Sequence, residues 1–323
     1  MKAVVRDRYC SPDALEFGDV DQPVIGDGDV LVRVHAAGVD QGVWHLVTGL
    51  PYAIRLAGFG VLRPKVRVAG MDVAGRVEAV GKDVRHLKPG DEVFGTCDGS
   101  FAEYACADET KFAVKPVNAT FEQAAAIPSS GFAALQGLRD SGQIRAGQHV
   151  LVVGAAGGVG TFAVQLAKAF GAEVTGVCRT AKVDLVRSIG ADHVIDYTLE
   201  DFTQGTRRYD LILDTGGNRP LTRLRRALAP TGTLVIAGAE GGGRWLQGTD
   251  RQLRAMASSP FGSQRLRGLM SVPRKEDLEF LRGLVEAGKV TPVVDRAFPL
   301  GQASEAIRHL RSGHPGGKVV VTA

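Results

Sequence analysis

The chain has 323 residues, 44% of them hydrophobic and 23% charged, with a net charge of +4; this suits a globular protein of two ordinary domains with a large core. The charge is mild, and basic pairs such as Arg207–Arg208 and Arg225–Arg226 lack interleaved aromatics, so nucleic acid is not an expected partner. Cys10, Cys97, Cys106 and Cys178 form no Cys-x-x-Cys pair and no Cys/His cluster, which argues against a structural zinc or a disulfide scaffold and fits a reducing compartment.

The N-terminus, Met1-Lys-Ala-Val-Val-Arg6, reads as a first strand, since a signal peptide needs a longer apolar stretch after its basic residue. No apolar run is long enough for a membrane span, so the expected location is the cytoplasm. Val30–His35 and Val73–Val80 are strand candidates rich in β-branched residues, and Lys88-Pro-Gly leads from a turn into a strand ending at Phe94. Short strands with frequent turns predict a barrel or sandwich. The pattern changes near Thr120, a candidate N-cap for a helix starting Phe121-Glu-Gln-Ala-Ala-Ala. Strands at 149–153, 173–178, 193–195, 210–213 and 233–237 then alternate with helices at 159–170, 182–188 and 220–228. That alternation predicts a doubly wound parallel α/β sheet. Val293–Leu300, Gln302–Leu310 and Lys318–Val321 close the chain as strand, helix and strand.

The strongest chemical signal is Val150-Leu-Val-Val-Gly-Ala-Ala-Gly-Gly-Val-Gly160, a buried strand entering a glycine-rich turn that opens a helix. Gly157 and Gly160 hold the last two glycine positions of the dinucleotide fingerprint, and Ala155 replaces the first. The reading places Gly154, Ala155, Ala156, Gly157, Gly158, Val159 and Gly160 around a pyrophosphate, with the helix N-terminus offering N–H groups and a positive dipole end. The next strand ends Gly176-Val-Cys-Arg-Thr-Ala-Lys182, with no carboxylate until Asp184. An NAD site expects an acid there, so Cys178, Arg179 and Lys182 point to NADPH, the two cations pairing with a 2′-phosphate. Ala237 and Gly238, at the end of a later strand, join the expected cofactor site.

These residues resemble the medium-chain dehydrogenase/reductase superfamily, and within it the zinc-independent quinone oxidoreductase group. The resemblance runs through Ala36-Ala-Gly-Val-Asp40, the segment from Gly70 to Gly81, Lys88 to Gly95, the glycine turn, Leu185 to Asp196 and Gly316-Gly-Lys-Val-Val320. It implies a Rossmann doubly wound sheet at 123–291 and a GroES-like β-rich catalytic domain at 1–122, completed by 292–323. It also implies a nicotinamide in an interdomain cleft, a homodimer, and an approach of Tyr197 and Lys318 to the cofactor. Zinc-dependent relatives carry a cysteine at the Asp40 position, a histidine at Met71 and a third ligand just before Ser129, where this chain has neither. Asp40 with His35 and His45 is a minority metal reading, since a catalytic zinc needs about three protein ligands. The quinone-reductase group usually has asparagine at position 40, so Asp40 is a departure, either as a proton donor or as a partner of backbone amides.

The expected reaction passes a hydride from NADPH to a quinone or an α,β-unsaturated carbonyl, with a small apolar substrate and hydrogen bonds in place of zinc. Candidate donors are Asp40, Tyr52 and Ser130, with Ser129 beside them. The apolar segment Leu50–Leu62 reads equally as a lid or as a packing or dimer segment, and Trp44 as core. Two alternatives stand: a zinc-free alcohol/ketone (alkenal) reductase, and a non-catalytic NADPH-binding redox-sensing module.

Overall fold

The computed structural model describes residues 1–323 except 217–218, 239–242, 247 and 260–261, and only the backbone of Ala57. The chain divides into two compact units: Met1–Ser129 with Pro273–Gly288 and Pro292–Ala323, and Ser130–Val272 with Lys289–Thr291.

The first unit begins with an antiparallel ribbon, β1 (Lys2–Val5) on β2 (Glu16–Asp19). The strand expected at the N-terminus is therefore present, but its hydrogen-bonded partner is β2 rather than the larger sheet. That sheet is built on β3 (Asp29–Val39), which carries a nearly continuous buried run. Helix α1 (Gln41–Thr48) follows at once, started by Asp40 as N-cap and ended by Gly49 at φ 63°. The one-turn α2 (Tyr52–Ile54) runs into a wider helical turn at Arg55–Phe59, so Leu50–Leu62 folds as short helix and turn, with Leu56 and Leu62 exposed. β4 (Asp72–Val80) and β5 (Glu92–Thr96) are the expected short strands, and β6 (Tyr104–Asp108) and β7 (Phe112–Val114) are two more that the sequence reading did not single out. At α3 (Phe121–Ala125) the predicted cap is a full capping box: the Gln123 amide donates to Thr120 Oγ1 at 3.2 Å, and the Thr120 amide donates to Gln123 Oε1 at 3.0 Å.

After α4 (Pro128–Gln136), the second unit alternates β8 (His149–Val153), α5 (Gly158–Ala169), β9 (Glu173–Cys178), α6 (Val183–Ser188), β10 (His193–Asp196) and β11 (Tyr209–Asp214). It continues with α7 (Leu221–Ala227), β12 (Leu228–Ile236), α8 (Thr249–Ser258) and β13 (Arg265–Gly268). All six strands are parallel, in the order β10-β9-β8-β11-β12-β13. The order reverses between β8 and β11, the switch point beyond whose strand ends such sheets bind ligands. Val150, Leu151, Val152 and Val153 are all buried, as a strand covered on both faces requires. β12 starts five residues before its expected position, and β13 and α8 lacked a clear sequence signal.

The tail returns to the first unit as α9 (Lys275–Glu286), β14 (Val294–Pro299), α10 (Ala303–Arg311) and β15 (Lys318–Thr322). The sheet order there is β14-β15-β3-β4-β5-β7, with β6 also on β3. Its core gathers Val32, Val73, Phe101, Phe112, Ile307 and Val321 among others. The second unit has a separate core around Leu151, Ile212, Leu234 and Leu266. Among the described residues no helix is long and apolar enough to cross a membrane.

Candidate active site

In the second unit the turn after β8 is shaped by its glycines. Gly154 sits at φ +81°, and a Cβ there would lie 2.6 Å from Thr215 Oγ1. A Cβ on Gly160 would lie 2.0 Å from the Gly154 carbonyl oxygen and 2.8 Å from Ala155 backbone atoms, so α5 can start only with glycine at this point. Gly157 is different: its nearest atom would be 3.4 Å away, which leaves its surroundings open. The amides of Gly154 and Ala155 donate to the Val177 carbonyl, and that of Gly157 to Gly154 O. Gly157 is the N-cap of α5 without a side-chain cap, so the amides of Gly158, Val159 and Gly160 open the helix with no intrahelical acceptor. Such a helix end suits a diphosphate in both hydrogen bonding and dipole.

The other expected cofactor residues lie at neighbouring strand ends. Cys178 ends β9 and is buried, with burial pushing its thiol up to about 11. Arg179 is the N-cap of the short turn Thr180–Lys182, which carries Lys182. Tyr197 is exposed and donates its amide to Cys178 O at 3.0 Å. The amides of Ala237 and Gly238 both donate to Asp214 O, at the end of β11, and the Asp214 carboxylate pairs with Arg251. Parallel pairing adds a residue not singled out in sequence: Asp196 stands opposite Cys178. Along the chain no acid follows this strand end before Asp184. In space Asp196 supplies one, with its Oδ1 accepting from the Thr198 amide at 2.9 Å and the Thr198 hydroxyl at 2.7 Å.

The first unit holds a buried charged cluster. Lys318 Nζ, at 2% side-chain exposure, lies 3.5 Å from Asp40 Oδ2 and 3.4 Å from Asp72 Oδ2. Strand register explains the meeting: Val319 pairs with Val39 and Gly38 with Asp72, so the three charges share one end of β15, β3 and β4. Asp72 also accepts from the Ser129 hydroxyl at 2.6 Å and from the Ser129 amide at 3.2 Å. Burial pushes Asp72 up to about 7, against the pull of the Lys318 ammonium and with the Asp40 charge adding to the rise. Asp40 spends Oδ1 on the Val43 amide at 3.0 Å, while its Oδ2 is buried without a hydrogen-bond partner. One ammonium between two carboxylates, with burial favouring the protonated form of Asp72, can store or release a proton.

Of the expected site residues, the candidate donor Asp40 and the candidate cofactor-binding Lys318 come together. The serine on Asp72 is Ser129; Ser130 is buried one residue further along α4. Tyr52 lies under the Arg55 guanidinium, 4.8 Å from its ring centre. Asp72, within the segment Gly70–Gly81, is a site residue that the sequence does not single out, because only tertiary contacts reveal its burial and partners. The two histidines near Asp40 in sequence do not converge on it: His35 stacks on Phe121 with ring centres 4.2 Å apart, and His45 Nδ1 bonds Leu50 O at 2.7 Å. Trp44 packs against the core of this unit under Arg311.

Residues 26–118 match the alcohol dehydrogenase GroES-like domain, and residues 189–321 match a model described as zinc-binding dehydrogenase. The chain is 34% identical to an NADPH-dependent alkenal/one oxidoreductase, chloroplastic, of Arabidopsis thaliana, over 99% of this chain and 79% of that one. It is 31% identical to the chloroplastic quinone-oxidoreductase QR1 of Triphysaria versicolor, over 99% and 98%. The solved structure of an NAD-dependent alcohol dehydrogenase superposes with a TM-score of 0.86 at 30% identity, covering all of both chains. The residues present do not fit a zinc ion: among the described residues no group of three His, Cys, Asp or Glu side chains converges, and a lysine ammonium stands at Asp40. They do fit a nicotinamide dinucleotide, through the uncapped amides of α5. With relatives at this identity matched along nearly its whole length, the chain belongs to the medium-chain dehydrogenase/reductase family, in its quinone oxidoreductase group, and is an NAD(P)H-using oxidoreductase.

Proposed function

We propose that this protein reduces a small apolar quinone or α,β-unsaturated carbonyl with NADPH, without zinc. The observation that carries the reading is Lys318 Nζ at 3.5 Å from Asp40 and 3.4 Å from Asp72, a proton-holding group where zinc-dependent relatives use a metal-ligating cysteine. The nicotinamide supplies the hydride when bound. The chain's own residues do the rest. Gly157 and the amides of Gly158, Val159 and Gly160 hold the diphosphate, and Ala155 and Ala156 shape the turn. Arg179 and Lys182 bind the 2′-phosphate, while Asp196 is held by Thr198. Tyr197, Cys178, Ala237 and Gly238 line the remaining cofactor surface in this reading.

The reduced product is an anion that needs a proton. Lys318 and Asp72 hold that proton, and Asp40 Oδ2, ion-paired with Lys318, relays it. Ser129 fixes Asp72, so its role is positioning. Catalysis is assigned to the first unit, which extends the expected 1–122 with 292–323 to Ser129 and adds Pro273–Gly288, and the cofactor to the remainder of the expected 123–291, in a cytoplasmic homodimer that binds no nucleic acid. The similarity to an NAD-dependent alcohol dehydrogenase, together with Asp196 opposite Cys178, favours one second reading: zinc-free reduction of simple ketones with NADH.

The test follows NADPH absorbance with chelator-treated protein against a benzoquinone, a naphthoquinone, a 2-alkenal and a simple ketone, with NADH in parallel. Turnover of quinone or enone without metal, and with NADPH preferred, is the expected result. Turnover of the ketone alone with NADH selects the second reading. Activity that returns only with zinc defeats both, and tight NADPH binding with no acceptor leaves a binding module.

A further inference from the structure

The first unit contains a cavity with its own chemistry, lined by Arg6. After β1 the chain passes Arg6, whose amide is fixed on Arg67 O at 2.9 Å. The Arg6 side chain turns inward; the residue is 7% exposed. Its Nε and Nη1 are buried and have no hydrogen-bond partner among the described residues. No carboxylate lies within 4.0 Å of it among the described residues, whereas the surface arginines Arg67 and Arg76 each find one. Burial draws its pKa below the ordinary arginine range, as a guanidinium without a counter-ion should behave. A buried cation with open donors is costly unless an anion completes it.

Arg6 lines a cavity of about 270 Å³, together with Tyr9, Leu46, Phe59, Val68 and Gly99. The walls are thus mainly hydrocarbon and aromatic. Tyr9 pins one lip by donating its hydroxyl to Gly60 O at 2.6 Å. Two exposed side chains of opposite sign, Lys65 and Asp98, stand at the lining as well. Only one buried cation faces the space, and the acid among its lining residues disfavours a second negative charge.

We propose that this cavity binds a small amphipathic monocarboxylate, aromatic or short-chain, with its carboxylate paired to the Arg6 guanidinium and its hydrocarbon body against Leu46, Phe59 and Val68. A phosphate dianion fits less well, because it needs several donors and the walls offer few. The inference does not depend on the proposed reaction. It concerns a ligand held by Arg6, and none of the reaction's named residues takes part.

The probe is benzoate, with benzamide as its neutral isostere and inorganic phosphate as the alternative anion, each titrated calorimetrically into the full chain. Benzoate is expected to bind saturably, about tenfold or more tighter than benzamide, with phosphate weaker still. Arg6→Gln should lose that preference, whereas Lys65→Gln should keep it. Equal affinity for benzoate and benzamide overturns the proposal, as do absent benzoate binding, tighter phosphate binding, or full benzoate affinity in a folded Arg6→Gln protein. Should Arg6→Gln not fold, the arginine Nε–H signals of the unaltered protein decide: benzoate must shift the buried one and benzamide must not.

Discussion

The glycine turn of the second unit and the charged cluster of the first do comparable work by opposite means. The turn is contiguous, from Gly154 to Gly160, and acts through backbone shape and backbone amides. The cluster is assembled from positions 40, 72, 129 and 318, and acts through side-chain charge. A backbone device tolerates change only where there is room for a Cβ. A charge device tolerates change only if the remaining charges still balance. The two regions should therefore fail in different ways, and this is open to test.

The largest effect is expected at the turn. Gly160→Val puts a branched side chain where even a Cβ meets Gly154 O at 2.0 Å. It should cost more than about 4 kcal/mol and remove nicotinamide binding, read as a lower Tm and the loss of NADPH fluorescence enhancement. Gly157→Ala, whose Cβ meets nothing nearer than 3.4 Å, should fold normally and weaken cofactor binding alone. If both variants fail to fold, Gly157 is as constrained as Gly160 and the comparison loses its ligand-facing position.

The cluster should answer to charge balance. Lys318→Met leaves two carboxylates buried without their cation, which should cost about 3 kcal/mol in denaturant unfolding. Adding Asp72→Asn should recover part of that loss, and additive costs would show that the charges are not coupled.

Its pH dependence follows from Asp72. The folded carboxyl keeps its proton up to about pH 7, while an unfolded aspartate releases it near the ordinary value of 3.8. Between these values the folded state binds more protons, so stability falls as pH rises through that window. The contribution is at most about 2 kcal/mol between pH 5 and 7, and Asp72→Asn should flatten it. A variant with the same slope as the parent protein would assign the titration elsewhere.

Smaller effects separate the cofactors. Arg179→Ala with Lys182→Ala should lower kcat/KM for NADPH about tenfold and leave NADH nearly unchanged, a difference near 1.4 kcal/mol. An equal loss with both cofactors would remove their assignment to the 2′-phosphate. Thr120→Ala, which breaks the capping box of α3, should cost about 1 kcal/mol of stability and leave cofactor preference untouched.

The sequence by itself determined the parts governed by neighbours in the chain. The glycine turn, the buried strand before it, the helix after it and the Thr120 cap all follow from contiguous residues, because backbone sterics and hydrogen bonds act over a few positions. Asp40 was legible as an unusual residue and Lys318 through resemblance. Their meeting was not, since it depends on the register of β15 on β3 and of β3 on β4. The same reason hid Asp72 and Ser129, and it set Asp196 opposite Cys178 although 18 positions separate them in sequence. It also set Tyr52 against Arg55, and gave Arg6, unremarkable in the sequence, a buried guanidinium whose Nε and Nη1 have no hydrogen-bond partner among the described residues. Strand register, helix packing and burial decide such placements, because they act between residues far apart in the chain, where spacing along the sequence carries no distance.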